Sequence, residues 1–193
     1  MSQLEYINRK GKKHYLHEGT TKTGKPKYFF SLKSEGSPVN AIPEGYEIYE
    51  HPNAQVFLRK IPDQFITSEE LAIVREGVQK HLKIEYFILD VRGKNIVLHT
   101  CDQSVENLME LSKLIFGKSL IQPRKILTDW MTYSPIMQFV LSDLKRREFV
   151  VERWCFRGSV DDWISLDSST DLKALVDKYT CHLNQESFFD LRA

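Results

Sequence analysis

The chain has 193 residues, 41% of them hydrophobic and 27% charged, with 27 Lys and Arg against 26 Asp and Glu. That balance supports a packed core in one or two domains and argues against intrinsic disorder. No apolar run reaches the length of a membrane span, the N-terminus lacks the apolar stretch of a secretory signal, and three widely spaced cysteines form no disulfide framework, so a soluble cytoplasmic protein is expected.

In chain order, residues 9–33 come first. They read RKGKKHYLHEGTTKTGKPKYFFSLK and hold eight Lys or Arg and one acid, Glu18, giving +7 in a protein of net +1. Short aromatic stretches predict strands over 14–18 and 27–33, joined by a Gly- and Thr-rich connector, so the run reads as a β-hairpin with a positive tip. Strands over 46–50 and 55–60 flank His51-Pro52-Asn53-Ala54 and predict a second hairpin. The segment between the hairpins, with two Pro and two Gly, reads as a loop.

Thr67 and Glu70 form a T-x-x-E capping box, and Leu71, Val74, Val78 and Leu82 share one helical face. A strand over 84–91 turns at Arg92-Gly93-Lys94-Asn95 and returns over 96–100. Asp102 caps a helix over 103–116, and Pro123 opens another running to 131. Strands over 136–142 and 148–156 surround a turn at 143–147, and 163–166 is one more short strand. A helix over 171–182 turns Leu172, Leu175, Val176 and Tyr179 inward, and Ser187-Phe188-Phe189 pins the C-terminus. Helices and hairpins alternate without a forced crossover. The expected fold is α+β with antiparallel sheets and three to four helices, in a small β-rich basic unit over 1–60 and a main domain over 67–193, or in one continuous domain.

LHEGTTKTGKPKYFFS at 16–31, IPEGYEIYEHPNAQVFLRK at 42–60, VERWCFRGSVDDWISL at 151–166 and ESFFDL at 186–191 resemble a family of uncharacterised bacterial proteins of about this length. The resemblance covers most of the chain. It implies a bacterial origin and no activity, substrate or catalytic residue.

Gly19 to Lys25 matches G-x-x-x-x-G-K, the start of a phosphate-binding loop, but Pro26 supplies neither the hydroxyl nor the N–H that the motif needs, and a strand follows. What remains is a basic surface. Arg9, Lys10, Lys12, Lys13, Lys22, Lys25 and Lys27 are candidates to contact phosphates. Tyr28, with Tyr15 or Phe30, is a candidate ring for a base, and Thr20, Thr21 and Thr23 are hydroxyl donors. Lysines on a solvated edge hairpin also serve simply to block sheet pairing. Lys145, Arg146 and Arg147 form a secondary basic patch, to which Arg153 and Arg157 add.

Two His/Cys pairs, His99 with Cys101 and Cys181 with His182, lack zinc spacings, so neither metal nor cofactor is expected. Asp90 beside Arg92, and Asp161-Asp162 before Trp163, are the carboxylates best suited to acid/base work. The strand holding Trp154 is mixed on both sides, a hint of a covered or interacting surface. Together these residues point to a non-enzymatic module contacting nucleic acid or another polyanion through the basic hairpin. Six engaged phosphates on duplex DNA would give a salt slope of about −5. The alternatives are a protein-interaction or accessory subunit of a bacterial complex, and an enzyme using Asp90 or Asp161/Asp162.

Overall fold

In the computed structural model the described residues are 3–83, 86–103, 114, 130–157 and 160–192. The chain divides into two units, Met1–Ile61 with Gln103–Thr132, and Pro62–Asp102 with Tyr133–Ala193. All strand pairs among the described residues are antiparallel and the fold is α+β. No helix among the described residues is long and apolar enough to cross a membrane.

The first unit holds a three-stranded sheet of β1 (Glu5–Ile7), β2 (Lys13–Thr20) and β3 (Pro26–Ser31), and a hairpin of β4 (Tyr46–Glu50) and β5 (Val56–Lys60). Alternation sets the two faces of the sheet. Leu16, fully buried, shares one face with Tyr6, Tyr28 and Phe30. The other face carries Lys13, Tyr15, His17, Lys27 and Phe29. His17 is buried there beneath the chain that follows β3. Its Nε2 lies 2.8 Å from the Lys33 carbonyl, and Gly36, at φ +133° with its Cα side close to the His17 ring, is at a position that favours glycine.

The second unit is a five-stranded meander in the order β10-β9-β8-β7-β6. Its strands are β6 (Phe87–Arg92), β7 (Asn95–Cys101), β8 (Tyr133–Asp143), β9 (Glu148–Arg157) and β10 (Val160–Ser169). Helices α1 (Ser68–Gln79), α2 (Leu172–Thr180) and α3 (Ser187–Asp190) complete it. Val74 and Val78 of α1, with Leu172, Leu175 and Val176 of α2, share one core with Ile96, Leu98, Met137, Phe139, Leu141, Phe149 and Val151 of the sheet. Apolar helix stripes and alternate strand positions both turn to that core, which fixes the two-layer arrangement.

Several sequence expectations are met closely. Thr67 caps α1 with the full capping box, Asp171 caps α2 through the Ala174 N–H, and the hairpins fall where the turns indicated. Others change. The strand expected over 163–166 is the ten-residue β10: Val160 to Asp162 pair with β9 in unbroken register before it, and a bulge between Ser165 and Asp167 lets the polar end keep pairing after it. The helix expected over 171–182 ends at Thr180. The helices expected over 103–116 and 123–131 lie almost wholly outside the described residues.

Candidate functional site

The basic run does not become one patch. Its first cluster, Arg9, Lys10 and Lys12, forms the tip between β1 and β2, and Lys13 begins β2. Its second cluster, Lys22 and Lys25, forms the tip between β2 and β3, with Lys27 one residue into β3. At about 3.4 Å per residue, the eight-residue β2 separates the tips by roughly 24 Å. That is about three times the screening length at physiological salt, so the two clusters act as separate charges.

The first tip is tied down from within. Asn8, buried, donates its Nδ2 to the Ala54 carbonyl at 2.7 Å and accepts at Oδ1 from the Lys10 and Lys12 backbone N–H. Arg9 donates Nε to Glu50 Oε1 at 2.6 Å and a terminal nitrogen to the His51 carbonyl at 2.7 Å. Tyr6 donates to the other Glu50 oxygen at 2.9 Å. Burial pushes the Glu50 carboxyl up, but the Arg9 side chain and backbone N–H and the Tyr6 hydroxyl outweigh it and hold it below its usual value. Lys10 Nζ donates to the Met131 carbonyl at 3.0 Å, and Lys13 pairs with Glu5 at 2.8 Å. Of this cluster, Lys12 is exposed and has no ion pair among the described residues.

The second tip is built differently. Thr21 N–H donates to the Lys25 carbonyl and Gly24 N–H to the Thr21 carbonyl, with Gly24 at φ +79°, the left-handed geometry that makes glycine the fitting residue. The Thr21 hydroxyl accepts from the Lys25 N–H at 3.0 Å and lies 3.1 Å from the Thr23 hydroxyl. These bonds hold the backbone and leave the lysines alone. Lys22, Lys25 and Lys27 are exposed, and none makes an ion pair among the described residues. The loop is a hairpin turn, as Pro26 required, and not a phosphate-binding P-loop.

The aromatic side chains divide by face. Tyr28 is half-buried and meets Tyr46 edge-on at 6.0 Å. Its hydroxyl is held above its usual pKa by burial and by the Glu18 carboxylate. Phe30 lies on that same inner face, 6.4 Å from Tyr6. Phe29 lies on the face of Lys27 instead, 42% exposed and stacked on His17 at 5.6 Å. Sequence reasoning passed over Phe29, although the alternation in KYFFS already placed it with Lys27.

The secondary patch is largely engaged within the second unit. Arg147 grips Glu70 and donates to the Phe65 carbonyl at 3.1 Å. Arg146 lies 3.8 Å from Glu148. Asp143 accepts from the Arg146 and Lys145 N–H, which hold its carboxyl below the usual range. Lys145 is exposed with no ion pair among the described residues. Arg153 is buried, and Trp154 packs edge-on against Trp163 at 5.1 Å.

The acidic candidates stay apart. Asp90 is buried and accepts from Arg92 Nε at 2.6 Å. Asp161 and Asp162 are exposed neighbours on β10, so their side chains leave opposite faces. Asp162 accepts from the Trp163 N–H. His182 Nδ1 lies 2.9 Å from the Ser187 hydroxyl, and the Cys181 thiol faces the Lys178 carbonyl. Among the described residues, no three His, Cys, Asp or Glu side chains come together to hold a metal ion. No family model, no curated protein and no solved structure matches the chain.

Proposed function

We propose that the protein is a nucleic-acid-binding module whose contact surface is the tip of the β2–β3 hairpin. The observation that carries this reading is the trio Lys22, Lys25 and Lys27, exposed and without ion pairs among the described residues, on a turn braced by Thr21. Lysines already bound to carboxylates must break those contacts to reach a phosphate. These three need not, so each phosphate contact gains the full release of counterions.

Phosphate neutralisation supplies the affinity, and Phe29 beside Lys27 offers a ring face on which a base of any identity can stack. Lysine contacts to phosphates and stacking on a ring carry no base identity, so the binding is of low sequence preference. Arg9, Lys10 and Lys13 serve to hold the first tip, and the contact involves three phosphates in place of six.

Fluorescence anisotropy with short single-stranded and duplex oligonucleotides at a series of salt concentrations tests this. Three phosphates give a slope of log K against log salt of about −2.7 on duplex and about −2 on single strands. Absence of binding at low salt, or a slope near zero, overturns the reading.

A further inference from the structure

A second candidate site lies in the other unit, and it stands independently of the hairpin. Where β9 and β10 meet the C-terminal segment, a cleft of about 680 Å³ opens. That is the size range of small-molecule sites. Its apolar wall is formed by Ile164, Phe188 and Phe189. Arg153 lines it too, and Arg153 is only 7% exposed.

The arginine is held by backbone alone. Its Nε donates to the Leu191 carbonyl at 2.9 Å, one terminal nitrogen to the Phe189 carbonyl at 3.1 Å, and the other to the Trp154 carbonyl at 3.4 Å. No carboxylate pairs with it among the described residues. A guanidinium has five N–H donors, so two remain beyond those three bonds. A buried charge without a counter-charge is costly, and the cleft is the side from which an anion can reach this one. Asp190 and Arg192 also line the cleft, so its fixed charges sum in favour of an anion.

We propose that this cleft binds a small amphipathic organic carboxylate. The carboxylate accepts from the two remaining Arg153 N–H donors, and an aromatic or aliphatic body packs on Ile164, which shares the Arg153 face of the sheet, and on Phe188. The three carbonyls fix the guanidinium in place, so the fork meets its ligand already oriented, which favours a planar carboxylate over a point-charge partner.

Calorimetric titration of the intact protein with 2-naphthoate, and with its uncharged analogue 2-naphthamide, tests the proposal. The acid is expected to bind about ten-fold or more tightly than the amide, and Arg153→Gln is expected to remove that preference. Because Arg153 also holds the C-terminal segment, a second variant guards against simple misfolding. Phe189 is 73% exposed, so Phe189→Asp leaves the core intact while placing a negative charge at the mouth of the cleft. It is expected to weaken naphthoate about ten-fold with an unchanged melting temperature. Equal affinities for acid and amide, no binding of either, or naphthoate binding indifferent to Phe189→Asp would each overturn the proposal.

Discussion

Arg147 reaches across the second unit to Glu70, donating Nε at 2.9 Å and a terminal nitrogen at 2.6 Å to the same carboxylate oxygen. Glu70 is also the third residue of α1, and its other oxygen accepts from the Thr67 N–H to close the capping box. One carboxylate therefore fixes both the start of the helix and the β8–β9 turn, where Arg147 sits at a left-handed φ of +52°. Glu70→Gln retains an acceptor for the cap and loses the charge, so it is expected to cost about 1 kcal/mol. Glu70→Ala loses both and leaves a half-buried guanidinium without its partner, at about 2–3 kcal/mol. Urea unfolding measures both. If Glu70→Ala costs no more than Thr67→Ala, the Arg147 link contributes nothing.

Gly77 is the close-approach point between α1 and α2. A Cβ there would clash with the Val176 Cγ1. In an exposed helix, Gly→Ala stabilises by about 1 kcal/mol. Here the clash reverses the sign, and Gly77→Ala is expected to destabilise by about 2–3 kcal/mol. Val176→Ala opens space for the new methyl. The Gly77→Ala/Val176→Ala double variant should therefore be more stable than the sum of the two single effects. Additive losses in thermal unfolding would show that the helices already have room.

Asp177 joins the same two helices by charge. It accepts from Lys173 Nζ at 2.7 Å and from Lys80 Nζ at 2.6 Å. The Lys173 hydrogen bond, then that of Lys80, lowers its carboxyl from 3.8 to about 2. A carboxyl depressed by folding adds stability above its unfolded value, and the gain is lost as pH falls through the folded value. The melting-temperature difference between wild type and Asp177→Asn should thus be present at neutral pH and vanish between about 4 and 2. The pair is exposed to solvent, so high salt should shrink the difference as well. A difference that persists at the acid end would assign it to packing and not to charge.

The capping box, the Asp171 cap and the hairpin turns were legible because each is decided within a few residues, by side chains that bond to nearby backbone. The partners of Arg147 and Arg9 were not, since Glu70 and Glu50 stand 77 and 41 positions away and only the folded sheets bring them close. β10 read short because polar residues flank its apolar centre, Asp161 and Asp162 on one side and Asp167 to Ser169 on the other. A bulge, which no local pattern announces, carries it on along β9. The division of the basic run was closer to hand: a strand predicted between two lysine clusters already sends them to opposite ends.

That division yields a test of the hairpin as a binding surface. Lys22→Glu with Lys25→Glu changes two lysines that have no ion pair among the described residues, so the fold and the melting temperature should be unaffected. Oligonucleotide affinity at low salt should fall by more than about ten-fold, and the magnitude of the salt slope by about 2. Lys12→Glu with Lys13→Glu makes the same change in net charge at the other end of β2, where Lys13 faces Glu5. Roughly 24 Å away and screened, that pair should weaken binding only slightly. It should instead lower stability, because it sets a second carboxylate against Glu5 in place of an ion pair. Equal losses of affinity from the two pairs would mean that the protein responds to total charge, and the hairpin tip would cease to be the site.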